Sequence, residues 1–431
     1  MPTDDTRTVV GDYVTLVRGT TYKGALVGKP GPALLGLGSI VPGGGFRTED
    51  FQTYGGDCPP ELTLFPGDLY ASLKGATKDG KMIGSVARVP PSVPSGRITQ
   101  DTVKLVFRSA VPADVSFLHW VLRTPQYRDY CAERAVGSAV VALSRIDFLK
   151  YPVPPPSPET REIVALLDAV DDKIESNRCM AATLEEIARA LFKNWFVDFG
   201  PVRAKVEARS SGLPNATEAL FPRRFGDDGL PEGWQDGTLA DAADLNPESR
   251  GSTARQGEIA YVDLANTKWG VIEDIQHFTP DDAPSRAQRV LRRGDTIVGT
   301  VRPGNGSYAL IASDGMIGST GFAVLRPKSQ QLREFVYLAA TSGENIDALA
   351  ALADGGAYPA VRPNMVAETP CCLPTEEVLS AFQKTTATLI DRIEAARSES
   401  AELRDLRNIL LANLFSGELR IKDAKKTVEA A

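Results

Sequence analysis

Histidine is scarce in this chain of 431 residues: there are two, His119 and His277. His119 lies in the apolar stretch FLHWVL and His277 in a polar one, so neither a zinc centre nor a Ser-His-Asp triad can be assembled. Cysteine is equally thin. The five present (Cys58, Cys131, Cys179, Cys371, Cys372) are odd in number and lack C-x-x-C spacing, which fits free thiols in a reducing compartment. No run of eighteen apolar residues exists to span a membrane, and MPTDDTRTVV carries no signal-peptide pattern, so the expected location is the cytoplasm. Methyltransferase chemistry is excluded as well. The N/D-P-P-Y/F motif is absent, Asn246-Pro247-Glu248 being the nearest approach, and GLGS (36–39) and PGGG (42–45) lack the strand–helix context of a nucleotide site. A basic excess is missing too: the net charge is −7.

What the chain has instead is a second version of itself. At a constant offset, Phe117 meets Phe335, Ala132 meets Ala350, Gly137 meets Gly355, Ala139 meets Ala357, Pro152 meets Pro370 and Pro156 meets Pro374. FPGDLYASL (65–73) resembles RRGDTIVGT (292–300), and LEEIARALFKNWF (184–196) lies over LRDLRNILLANLF (403–415). Such self-similarity over about half a chain marks a tandem duplication, too long in period for a solenoid. Each copy runs from a glycine-rich strand-and-turn region through a short helix and a proline stop into a long amphipathic helix. In the first copy apolar or small residues recur at Ile163, Leu167, Val170, Ile174, Ala181, Leu184, Ala188, Leu191 and Trp195, with Asn177 filling the gap. The second shows Phe382, Leu389, Ile393, Ala396, Leu403, Leu410 and Leu414 in the same frame. Steps of four and three make a heptad seam, and Pro154-Pro155-Pro156 and Pro374 bar continuation upstream. A helix of about 32 residues would be about 48 Å long. Its narrow stripe needs a partner, which the second copy supplies. Between the copies, residues 196–234 are rich in Gly, Pro, Ser and charge and read as a linker.

Charge is placed locally. Residues 1–157 hold 17 basic and 14 acidic side chains, residues 232–374 hold 12 and 18, yet both copies gather cations around the Gly-Asp turn. These are Lys74, Lys78, Lys81 and Arg88 in one and Arg286, Arg289, Arg292, Arg293 and Arg302 in the other. Turns carrying Arg, Lys and Asn present donors to phosphates and base edges. Two rival readings exist. Asp68 followed by Asp79-Gly80-Lys81 imitates a magnesium-dependent nuclease, although the second copy keeps only Asp295; turn-capping is the plainer role for both aspartates. A coiled-coil scaffold without nucleic acid is the other.

LPEGW (230–234), APSRAQRVLRRGDTIVGTVRP, TGFAVLRPK (320–328), the G-[SG]-A segments at 137 and 355, PVPPPSPETREIVALLDAVDDKI and FVDFGPVRAK (196–205) together resemble a type I restriction–modification specificity subunit over nearly the whole chain. The first copy departs in lacking the P-x-G-W opening. The resemblance implies an α+β chain with two similar α/β target-recognition domains separated by two long helices packed as an antiparallel coiled coil. The expected boundaries are 1–157 and 230–374 for the domains, 158–200 and 375–420 for the spacers, 201–229 for the linker and 421–431 for a tail. It further implies a non-catalytic subunit that reads a bipartite double-stranded DNA target and docks two methyltransferase subunits and restriction subunits. S-adenosylmethionine, ATP and Mg are then expected in the partners and no cofactor or metal in this chain. The expected DNA contacts are Lys74, Lys78, Lys81 and Arg145, then Arg286, Arg302, Asn305, Tyr308 and Arg362, with Arg289, Arg292 and Arg293 ranked lower as pairing with Asp281 and Asp282. The expected helix-seam and docking residues are Ile163, Leu167, Val170, Ile174, Leu184, Leu191, Leu389, Ile393, Leu403, Leu410 and Leu414.

Overall fold

The computed structural model describes residues 8–47, 51–75, 80–109, 111–137, 141–251 and 257–413. The chain divides into two compact units, Met1–Ser176 with Glu399–Ala431, and Asn177–Ser398.

In the first unit a short helix α1 (Val10–Tyr13) leads into β1 (Val14–Arg18), followed by β2 (Ala33–Leu35), β3 (Thr63–Leu64), β4 (Leu69–Ser72), β5 (Lys74–Gly75), β6 (Val86–Arg88), β7 (Gly96–Ile98) and β8 (Thr102–Phe107). The main sheet is antiparallel in the order β1-β8-β4-β6, and a second sheet is ordered β2-β7-β3 with β2 and β7 parallel. Helices α2 (Pro112–Val121) and α3 (Pro125–Arg134), strand β9 (Val141–Ala142), which pairs with β5, and α4 (Arg145–Leu149) complete it. Because strand side chains alternate, β4 feeds two cores. Leu69 and Ala71 pack with Phe117 and Trp120 of α2, while Tyr70 enters the core of the second sheet with Leu35 and Ile98. Tyr70 can be buried there because its hydroxyl meets Ser39 Oγ at 2.8 Å.

The second unit repeats this plan. It runs through β10 (Gln235–Thr238), α8 (Leu239–Ala242), β11 (Ala243–Leu245), β12 (Ile259–Val262), β13 (Thr267–Lys268), β14 (Val271–Ile272), β15 (Gln276–Phe278), β16 (Ala287–Val290), β17 (Thr296–Gly299), β18 (Tyr308–Leu310), β19 (Met316–Ser319) and β20 (Phe322–Pro327). Its main sheet, β11-β20-β17-β18, matches β1-β8-β4-β6, and its second sheet, β15-β12-β19-β16, also holds one parallel pair, β12 with β19, as β2 with β7 does in the first unit. Helices α9 (Arg333–Ala340), α10 (Gly343–Leu352) and α11 (Pro363–Ala367) stand where α2, α3 and α4 stand, and β21 (Pro370–Leu373) closes on β10. Val298 faces α9 while Ile297 faces the second sheet, repeating the division seen at β4. The missing P-x-G-W opening does not alter the first unit's edge. Asp12 caps the Val9 amide at 2.8 Å as Asp241 caps Thr238, and Val9 bridges Pro152 as Thr238 pairs with Pro370.

The long helices are α5 (Pro158–Phe192), 35 residues, and α12 (Glu376–Asn413), 38 residues. Ser157 Oγ accepts the Thr160 amide at 3.1 Å with Pro158 behind it, a strong start signal. Within each unit the two helices run antiparallel. In the first, Ile163 and Leu167 share a core with Leu406 and Leu410, and Arg407 meets Asp171 at 2.7 Å. In the second, Ala181, Leu184, Ala188 and Leu191 join Leu389, Ile390 and Ile393, and Arg397 meets Glu185 at 2.9 Å. Val170 is buried in the seam; Ile174, Leu184, Leu191, Leu389 and Leu403 are half-buried, and Leu414 lies outside the described residues. Thr386 and Ser400 occupy buried seam positions that an apolar pattern does not reveal.

The stretch expected to be a linker is folded. A π-helical turn (Lys193–Val197) ends α5, Phe199 takes a left-handed φ of 54°, and α6 (Gly200–Val206) and α7 (Asn215–Ala219) follow. Trp195, Phe196, Phe221 and Trp234 interlock edge to face or tilted, with centroids 4.9–6.2 Å apart. Aromatic burial, which has no period in sequence, overrides the linker-like composition.

Candidate functional site

One surface in the second unit gathers several of the expected DNA contacts. After β17 the chain turns through Arg302-Pro303-Gly304-Asn305-Gly306, with Arg302 itself left-handed at φ 48°. Trp269 lies across this turn: a Cβ on Gly306 would fall 2.5 Å from its indole, so only glycine fits. A second loop, 354–360, is closed by reciprocal amide bonds between Asp354 and Ala360 (3.1 and 2.8 Å) and is held to the first by Arg302 N donating to Pro359 O at 2.7 Å. Together with Ala350 and Ala353 of α10 and its tail they line an open depression of about 420 Å³. The Arg302 guanidinium donates to the Ala357 carbonyl at 2.6 Å and lies 4.6 Å from the Tyr358 ring centroid. No carboxylate faces it among the described residues. Asn305 is exposed on the same turn, and Arg362 is exposed just before α11.

The first unit builds the same frame. Lys74 and Gly75 of β5 pair with Ala142 and Val141, and Val136 and Ala142 exchange amide bonds at 3.0 Å as Asp354 and Ala360 do. Lys74, at the position of Val301, meets Asp101 at 3.0 Å. Lys81 is exposed, and its carbonyl accepts from Gly43 N and from Arg128 Nη2. Arg145 is exposed at the start of α4, the helix equivalent to α11 beside Arg362. Lys78 and Asp79 lie outside the described residues.

Other expected contacts are placed differently. Tyr308 is a packing residue, not a surface one: it is 5% exposed, stacks edge-on against Trp269 and meets Arg189 of α5 at 3.3 Å. Burial raises its phenol pKa. Arg286 is bound to Asp263 at 2.7 Å and to the Tyr261 hydroxyl at 3.0 Å. Arg292 pairs with Glu248 at 2.6 Å rather than with Asp281 or Asp282, and burial lowers the pKa of Arg289. Two of the five clustered arginines, Arg286 and Arg292, are therefore neutralised by carboxylates, while Arg302 faces a carbonyl and a ring. The exposed Tyr358 and Trp269 beside it were not singled out from sequence; an aromatic in a glycine loop carries no periodic signal.

Both Gly-Asp carboxylates cap their turns. Asp68 accepts from Phe65 N at 2.9 Å, and Asp295 accepts from Arg292 N at 2.8 Å while both its oxygens take Arg326 at 2.9 Å. Among the described residues no three His, Cys, Asp or Glu side chains are placed to hold a metal ion. Asn246 is structural, its Oδ1 accepting from Val324 N, and the Gly43–Gly45 amides are all bonded within the fold, so neither supplies a nucleotide site.

Each unit also fastens its sheet-and-helix body to the paired helices through polar contacts to carboxylates on the long helices. In the first, Asp168 takes Trp120 Nε1 (2.8 Å) and Arg88 (2.9 Å), and Asp171 takes Arg407 and Arg123. Buried His119 sits 3.1 Å from Arg123 Nη1, where it can only accept; burial, then the nearby Arg88, Arg123 and Arg407 charges, hold its pKa well below the usual range. Burial also pushes Arg123 down to about 10. In the second unit Glu185 takes Arg189 (2.8 Å), Arg397 (2.9 Å) and the Tyr337 hydroxyl (3.3 Å).

No helix among the described residues is long and apolar enough to cross a membrane. No protein-family model matches the chain. The type I restriction enzyme HindI specificity subunit of Haemophilus influenzae is 24% identical over 317 residues, 61% of this chain and 68% of that protein. The MjaIX specificity subunit of Methanocaldococcus jannaschii is 23% identical over 344 residues, 74% of this chain and 72% of that one. The crystal structure of a type I restriction-modification S subunit from M. genitalium aligns over 96% of this chain and 98% of its own, with a TM-score of 0.52 and 14% identity, which establishes the fold. In sequence and in fold alike, the chain is similar to type I restriction–modification specificity subunits.

Proposed function

We propose that this chain is the non-catalytic, DNA-reading specificity subunit of a type I restriction–modification complex. Each unit offers the loop pair between its main sheet and its helices to one half of a bipartite duplex target. The paired helices set the gap between the half-sites and dock the methyltransferase subunits, restriction subunits joining the complex; S-adenosylmethionine, ATP and Mg serve those partners. The observation that carries the reading is the duplication. Two bodies of one main-sheet order present equivalent loop pairs (74–75 with 136–137 and 141–142, and 301–306 with 354–360), and each is fastened to the same two helices. Two equivalent readers suit two half-sites, and half-sites on one face of B-DNA recur about every 34–36 Å.

Arg302 is the favoured base reader and Asn305 its neighbour, because Arg and Asn suit bidentate contact with guanine and adenine. Exposed Lys81, Arg145 and Arg362 fit phosphate contacts, which add affinity without sequence choice. The modest local charge implies that the partners supply much of the electrostatic grip.

The test is long-read mapping of methylated adenines in cells carrying this chain with its methyltransferase. A split motif with a fixed gap is expected. Methylation at a continuous motif, or at none, refutes the reading.

A further inference from the structure

We propose that Tyr358 is a positioning residue for Arg302, holding its guanidinium at the mouth of the 301–306 loop so that it meets a guanine edge already aimed. The inference rests on the DNA-reading proposal and deepens it at one side chain. Tyr358 is 71% exposed, so core packing does not explain its place. Its loop is nevertheless rigidly framed. Asp354 and Ala360 exchange amide bonds, Tyr358 N donates to Gly355 O at 3.0 Å, and Val361 N donates to Thr300 O at 2.9 Å. Gly355 has a φ of 115°, and a Cβ there would come within 3.3 Å of Tyr358 O, so the turn that presents the ring requires glycine.

This frame grips Arg302 three times: at its amide through Pro359 O, at Nη2 through Ala357 O, and over the Tyr358 ring at 4.6 Å. A free arginine head samples many rotamers, and each must be excluded when a base is read. Stacking on an aromatic face restrains the guanidinium without consuming its donors. Among the described residues one of its five N–H groups is used, on Ala357, which leaves a fork for the two acceptors of guanine, O6 and N7.

The experiment uses the complex with its methyltransferase. Methylation rates are measured on duplexes carrying each base pair at every position of the half-site. Arg302→Ala and Tyr358→Leu are expected to relax the same single position, each losing about tenfold or more in discrimination. Tyr358→Phe, which keeps the ring quadrupole, should stay within about twofold of the parent. The double variant should be no more relaxed than Arg302→Ala alone, as expected for residues acting as one unit. If Arg302→Ala relaxes a position and Tyr358→Leu does not, the positioning role falls and the reading of DNA by Arg302 stands. If Arg302→Ala relaxes nothing, Arg302 is not a reader and the role of Tyr358 falls with it. Relaxation of a different position by Tyr358→Leu, or a uniform loss over all sequences, also overturns the proposal.

Discussion

Arg286 and Arg302 are both exposed arginines of the same cluster, but among the described residues a carboxylate faces the first and none faces the second. Arg286→Ala strands Asp263, whose side chain is only 14% exposed, and should cost about 1–2 kcal/mol in denaturant melts while leaving the methylated motif unchanged. A relaxed motif would return Arg286 to the set of readers. His119 gives a pH signature. Its folded pKa lies below that of an unfolded histidine, so as pH falls through about 6.5 the unfolded chain gains a proton that the folded chain refuses. Stability is then complete above that pH and declines as pH drops toward the folded value. His119→Gln keeps a neutral acceptor for Arg123, so its melting temperature should fall less than the parent's between about pH 7.5 and 5.5. Parallel slopes would show that His119 does not set the dependence. The apolar stretch FLHWVL is consistent with the burial of His119 in α2 but cannot show the three arginines around it, because they come from β6, the turn after α2, and α12.

At the scale of the elements, the long helices are joined to each body through carboxylates on α5. Glu185 is 14% exposed and serves Arg189, Arg397 and Tyr337 at once. Glu185→Ala leaves two arginines partly buried without a counter-charge and should destabilise the second unit by about 3 kcal/mol, read by melting or by hydrogen exchange along α12. A loss below about 0.5 kcal/mol would mean that the apolar seam alone carries the joint. The helices were legible because their period, proline stops and matched copies agree. Thr386 and Ser400 were not, since a buried hydroxyl satisfied within its own helix, as Thr386 Oγ1 is by Phe382 O, imitates a surface residue in sequence. The 196–234 segment was illegible for a different reason: Phe196, Phe221 and Trp234 meet only once the chain is folded. At the site, Arg302 was legible from its glycine turn, whereas the pairing of Arg286 and Arg292 and the burial of Tyr308 depend on strands distant in sequence.

At the scale of the molecule, the helices act as a ruler only if a change in their length changes the target. Four residues add about 6 Å and rotate the downstream part of the helix by about 40°, so a seam of four-three steps stays nearly in line. Insertion of four residues after Ala181 lengthens α5 between Asp171 and Glu185, yet α12 still offers Arg407 and Arg397 at their original separation. One of the two ion pairs must then give way. The single insertion is therefore expected to widen the gap in the methylated motif by about one or two base pairs at about 3.4 Å each, with a lowered melting temperature. A matching insertion after Ser398 should restore the melting temperature and keep the wider gap, with both half-sites unaltered. If the motif mapped in cells keeps its original gap under the double insertion, the separation of the half-sites is set elsewhere, and the long helices only brace the units they join.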